Sequence, residues 1–185
     1  MPRLFMLLLG CTPAARHIEQ HDIFFGIGES FDDLVTQAIS FWPENKLHID
    51  GWREVNRVDS YKIEIVSATE TGTNSPIKLF FLNLGGYKQN EFEEFHYKML
   101  VAAPTKGDAI NMAKQTAFYR HTGFEGATSH IDDKYGVDVD DIYEIAEILD
   151  KSLKEKYRIV VNDAGRELPE DELHLGYFKI KKQNS

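Results

Sequence analysis

Apolar residues fall along this chain in short runs closed by glycine, not in long helical stretches. LFMLLLG at 4–10 and KLFFLNLG at 78–85 are too brief for helices and read as buried strands. A polar loop follows each, CTPAARH or GYKQNEF. A second strand comes next, HDIFFGIG or FHYKMLVAA. The period then changes. Leu34, Val35, Ala38, Ile39 and Trp42 share one helical face, as do Ala109, Ile110, Ala113 and Ala117. Ser30 and Thr105 stand as N-caps, each followed three residues later by an acid, Asp33 or Asp108. Pro43 stops the first helix. Short strands are expected around HID (48–50 and again 130–132) and around YKIEI and IYEI. AEILDKSLKEKY reads as one short amphipathic helix, and YRIVV and YFKIKK as late strands covering a sheet edge.

The pattern recurs. At an offset of 75, nine of 35 positions from residue 4 to 38 are identical without a gap. At an offset of 82, His48-Ile49-Asp50 meets His130-Ile131-Asp132, and seven of 16 positions agree. The expectation is an α+β fold of two tandem β-β-α-β-β repeats with pseudo-twofold symmetry, the sheet mainly antiparallel and the helices on one face. The boundaries are 1–66 for the first repeat, 67–77 for a turn-rich linker, 78–150 for the second repeat and 151–185 for a C-terminal helix and strand extension, all in one compact unit. The repetition also bears on the first residues. MPRLFMLLLGC taken alone allows a lipoprotein signal with Cys11 as the lipidated residue. Its copy in mid-chain cannot act as a signal, so residues 4–9 are read as a strand and Cys11 as unlipidated.

Composition narrows the classes of function. The chain has 185 residues, 42% of them hydrophobic, and a net charge of −9. That balance argues against nucleic acid as a partner, because phosphate neutralisation needs clustered Lys and Arg. The one basic cluster, KIKK at 179–182, reads as a solvated end. No apolar run approaches the ~20 residues needed to span a bilayer, so no membrane partner is expected. A single cysteine excludes an internal disulfide and fits a reducing cytoplasm.

LFMLLLGC, IEQHDIFFGIGES, HIDGWREVNRVDSYKIEIV, KLFFLNLGGY, FHYKMLVA and SHIDDKYGVDVDDIYEI together resemble the bacterial family called domain of unknown function 1543. The resemblance covers nearly all of residues 3–150, and EQHDIFFGIG is its most specific part. It implies a small bacterial protein and supplies no activity, cofactor or catalytic residue. Cys11 departs from the pattern, which has a second glycine there, as in Gly85-Gly86.

Two polar pairs occur in both copies: Glu-x-His (Glu19 and His21; Glu94 and His96) and His-Ile-Asp (His48 and Asp50; His130 and Asp132). Residues two apart on a strand share a face, so each pair stands side by side, and His17 could join Glu19 and His21. A His beside a carboxylate suits acid–base work, and the same residue types ligate zinc or harder cations. No HExxH or close-set three-ligand signature is present, so no metal is assigned and the cofactor is unknown. The rival reading is structural, since buried polar groups must find partners. GIG at 26–28 lacks the third glycine of a dinucleotide fingerprint and is read as a tight turn. Asp138 or Asp140 is read as a cap.

The expected function is a ligand- or protein-binding module with a His/Glu/Asp groove between repeats, more readily than an enzyme. Glu94, His96, His130 and Asp132 are its ligand-binding candidates in the second copy. The alternative is a hydrolase using His21 or His48 as base beside Glu19 or Asp50. A third reading is a structural protein whose edge strands pair with a second copy as a homodimer.

Overall fold

The computed structural model describes residues 1–44, 46–72, 75–87, 90–115 and 137–180. The chain divides into two compact units, one of residues 1–72 and 149–185, the other of residues 73–148.

The first unit begins with β1 (Arg3–Cys11), which pairs antiparallel with β2 (Gln20–Gly28) on one side and β3 (His48–Glu54) on the other. Alternation along β1 sends Phe5, Leu7, Leu9 and Cys11 to one face. There they pack with Phe24 and Ile49 against Leu34 and Ala38 of α1 (Asp32–Phe41). Burial of this kind contributes roughly 1.5–3 kcal/mol for each large side chain. It holds β1 central however its polar neighbours are arranged. Gln37 also ties α1 to the sheet by donating to the Ile27 carbonyl at 2.9 Å.

β4 (Arg57–Val58), β5 (Tyr61–Ser67) and β9 (Tyr157–Asp163) form a second, three-stranded sheet. β10 (His174–Lys179) pairs with β3 and covers its outer edge, so the four-stranded sheet runs β10-β3-β1-β2.

The second unit holds β6 (Lys78–Tyr87), β7 (Glu94–Ala103), α2 (Lys106–Ala113), β8 (Val137–Glu144) and α3 (Ile145–Ile148). Its sheet runs β7-β6-β8 and is antiparallel throughout. Phe80, Leu82 and Leu84 pack with Val101 and Ala103 against Ala109 and Ala113 of α2. An α+β architecture of mainly antiparallel sheet with few helices is therefore present in both units.

Several local expectations change. Thr105 caps α2 as expected, its hydroxyl accepting from the Asp108 N–H at 3.2 Å. Ser30 does not cap α1. The helix starts later, after Phe31, and Asp33 reaches back to accept from the Glu29 and Ser30 N–H groups at 2.8 and 2.9 Å. Those N–H groups are thus occupied, and GIG at 26–28 is not a turn: it ends β2, with Gly26 opposite Phe5 and Gly28 opposite Arg3. The strand expected around IYEI is present over residues 142–144, as the end of β8, which pairs with the central β6, and Ile145 begins α3. Asp138 and Asp140 lie inside that strand and not at a helix cap. AEILDKSLKEKY splits into α3 and α4 (Lys151–Lys156), because the Asp150 side chain accepts from the Ser152 N–H and starts a new helix. HID at 130–132 lies outside the described residues.

Candidate functional site

Gly10 is the centre of the first cluster. On β1 it stands opposite His21 of β2 and opposite His48 of β3. Just beyond it the β1–β3 register slips between Leu8 and Leu9: Leu8 faces Gly51 and Leu9 faces Ile49, which leaves Asp50 in a bulge. Bulges re-aim a side chain. Here the bulge sets Asp50 on the same side as its neighbour but one, His48, above Gly10. Glu19, the residue before β2, completes the group.

The four side chains form a closed ring. His21 Nε2 stands 3.1 Å from Asp50 Oδ2 and 3.7 Å from Glu19 Oε2. His48 Nε2 stands 3.1 Å from Glu19 Oε1 and 3.3 Å from Asp50 Oδ1. Each carboxylate thus gives one oxygen to each imidazole. His48 is the buried base of the ring, its side chain 6% exposed, while His21 and Glu19 are open at the rim at 42%. His48 Nδ1 lies 3.1 Å from the Lys46 carbonyl, and the Tyr177 ring of β10 packs against the imidazole at a 36° tilt with centroids 4.5 Å apart. Asp50 Oδ2 is buried and accepts no hydrogen bond. A Cβ at position 10 would fall within 3.0 Å of Asp50 Oδ2 and His48 Nε2, so only glycine leaves room for this ring.

The second unit builds a smaller cluster at the same place in its sheet. Gly85 on β6 stands opposite His96 of β7 and Asp138 of β8, and the register slips between Asn83 and Leu84, leaving Asp140 in the bulge. His96 Nε2 is 3.3 Å from Asp140 Oδ2 and 3.8 Å from Glu94 Oε2. One ligand atom from each of Glu94, His96 and Asp140 lies within 4.8 Å of the others, and all three residues are exposed.

The structure therefore gathers Glu19, His21, His48 and Asp50 in one ring and brings Glu94 and His96 together. His130 and Asp132 lie outside the described residues; among the described residues the aspartate beside His96 is Asp140. Sequence alone reads Asp140 as a cap instead. The available signal was the alternation of Val137 and Val139 with Asp138 and Asp140, which is strand periodicity. The sequence reading also missed the Lys46 carbonyl and Tyr177, which are distant in sequence or carried by the backbone. His17 lies exposed in the loop before β2 and, among the described residues, makes no ion pair with the ring, because the strand period does not extend into that loop. Cys11 points into the core, and burial pushes its thiol pKa up, with the Glu44 charge adding to the effect. Among the described residues no helix is long and apolar enough to cross a membrane.

Comparison with known proteins gives a fold and a family resemblance. The chain is similar to the crystal structure of protein Il1583 from Idiomarina loihiensis, with a TM-score of 0.67, 19% identity, and coverage of 99% of this chain and 100% of that one. No curated protein matches it. Residues 16–65, a narrower stretch than the 3–150 read from sequence, contain all four members of the first ring and match the family described as Domain of Unknown Function (DUF1543), which this chain resembles.

Proposed function

We propose that the chain is a binding module whose ligand centre is the ring of Glu19, His21, His48 and Asp50, with Glu94, His96 and Asp140 as a second, more open centre. The observation that carries this reading is the convergence of two imidazole nitrogens and two carboxylates over a glycine that leaves them room. Among the described residues no Lys or Arg ion-pairs with any of the four. An electron-rich cluster of this kind suits a positively charged ligand and repels an anion. The matching registers and bulges of the two sheets support reading the units as copies of one β-β-α-β repeat, each copy carrying a version of the same centre.

A hydrolytic site is less well supported. In an acid–base pair the carboxylate holds the far nitrogen and leaves the other for substrate. Here both carboxylates crowd the Nε2 of His48, and the far nitrogen faces a backbone carbonyl. A purely structural ring is the remaining rival, and thermal unfolding separates it. The Tm of the full chain should rise with a cationic probe, either ZnCl₂ or 1,4-diaminobutane, and not with inorganic phosphate. The rise should vanish in Glu19→Gln, which changes a rim group and spares the buried base. A Tm unmoved by either cation, or raised by phosphate, overturns the proposal.

A further inference from the structure

We infer that Glu94, His96 and Asp140 of the second unit hold a divalent cation of the first transition row, with water in its remaining positions. The inference rests on the binding reading above and names the ligand of its second centre. Three observations carry it.

The first is convergence on one atom. Asp140 Oδ2 and Glu94 Oε2 both turn to His96 Nε2, at 3.3 and 3.8 Å. One ligand atom from each residue lies within 4.8 Å of the other two, so a single ion can reach all three. Charge-assisted hydrogen bonds between imidazolium and carboxylate run about 2.7–2.9 Å, shorter than either separation. Bonds of about 2.1 Å to one ion instead set neighbouring ligand atoms about 3.0–3.4 Å apart. Asp140 already stands at that spacing. Glu94, exposed at the start of β7, closes the rest by turning its side chain.

The second is the room the backbone makes. Asp140 is the extra residue of the β8 bulge, and its carboxylate is turned back over Gly85, where a Cβ would collide with Oδ2. Asn83 stands two before Gly85 on β6 and so on the same face of the sheet. Its Oδ1 is buried and accepts no hydrogen bond. A metal-bound water supplies the donor that this oxygen lacks.

The third is donor chemistry. One imidazole with two carboxylates is a borderline set. The nitrogen favours transition cations over calcium and magnesium, which take all-oxygen shells, and the carboxylates suit an ion that keeps its water. The side chains of His96, Glu94 and Asp140 are 34%, 40% and 29% exposed, which leaves the outer side open for entry.

Proton NMR of the EDTA-dialysed full chain, titrated with MnCl₂, tests this. The expected result is paramagnetic broadening of the His96 ring signals, assigned by their loss in His96→Gln, before those of any other histidine. A tenfold excess of CaCl₂ leaves the broadening in place, and ZnCl₂ reverses it, as the order of divalent affinities requires. Calorimetry gives the second readout. Manganese affinity falls more than about 10-fold in Asp140→Asn, and it falls too in Gly85→Ala, whose methyl displaces Oδ2, with circular dichroism showing each variant folded. No manganese uptake, broadening that is strongest at another histidine, or an affinity indifferent to both variants overturns the inference. An ion held loosely at three exposed donors adds little to the Tm, so the thermal test above still reports on the first ring. If His96 does not respond while 1,4-diaminobutane raises the Tm, the inference falls and the binding module stands. If His96 responds while neither cation moves the Tm, the first ring falls as a ligand centre and this site stands.

Discussion

The two clusters sit at matching places in two sheets, each beside a central strand (β1 or β6) flanked by two antiparallel partners, yet they differ in what surrounds them. In the first unit, the β3 position opposite Gly10 is His48, whose ring is buried, placed beside a carbonyl and packed at a tilt against Tyr177. In the second, the position opposite Gly85 is Asp138, and Glu94, His96 and Asp140 are exposed. The first sheet also has an extra strand, β10, against β3, and that strand brings Tyr177. The second sheet runs β7-β6-β8. The comparison teaches that one glycine-and-bulge scaffold can carry a rigid centre or a solvated one. Among the described residues, the difference lies in the strand position opposite the glycine and in the strand that packs beside it.

The largest expected contrast comes from His48→Ala against His96→Ala. Removing the buried imidazole leaves a cavity, and the Lys46 carbonyl loses its donor, which costs about 2–3 kcal/mol in urea unfolding. His96→Ala should stay within about 0.5 kcal/mol, as exposed substitutions do. Equal losses would mean that the second centre is as built-in as the first.

Glycine-to-alanine changes sharpen the same point at smaller scale. In Gly10→Ala the new methyl meets His48 Nε2, which is pinned, so a loss of about 1–3 kcal/mol is expected. In Gly85→Ala it meets the Asp140 carboxylate, the mobile end of an exposed side chain, and the loss should be under about 1 kcal/mol. A reversed order in denaturant midpoints would contradict the rigid-versus-open comparison.

The helix starts differ too. Thr105→Ala should cost α2 about 1 kcal/mol, because Thr105 is its cap. Ser30→Ala should leave α1 nearly unchanged. The Ser30 and Glu29 N–H groups hold the Asp33 carboxyl below its ordinary value of 3.8. A folded-state value depressed in this way adds stability above 3.8 that is lost as pH falls through the lower folded value. Asp33→Asn should therefore lower the Tm at pH 7, and the difference from wild type should close in acid. A gap that persists at all pH values would point to packing instead.

The smallest effect concerns the core thiol. Cys11 is 1% exposed and its pKa is raised by burial, so iodoacetamide should label it far more slowly in the native chain than in urea. Equal rates would place Cys11 outside the core.

The strands β1, β2, β6 and β7 were legible because short apolar runs ended by glycine leave few alternatives, and the helical face of Leu34 and Ala38 was legible from its period. The closeness of Glu19 to His21 and of His48 to Asp50 followed from i, i+2 spacing. Their convergence into one ring did not follow, since it depends on which strands pair and in what register. The start of α1 was misread because Asp33 can serve the turn without Ser30 in the cap position. Asp140 was misread as a cap because its place in a bulge of β8 is set by backbone pairing with β6, which no local pattern shows.

By itself, then, the sequence determined which segments are strands and helices, the apolar stripe that each buries, and the polar pairs that stand side by side. Those properties depend on neighbours within a few residues. Only the tertiary structure decided that Gly10 would lie under four converging side chains, that a register slip would aim Asp50 at His21, and that β10 would lay Tyr177 over His48. Those contacts join positions far apart in the chain. They are set by sheet pairing and packing, which no local pattern encodes.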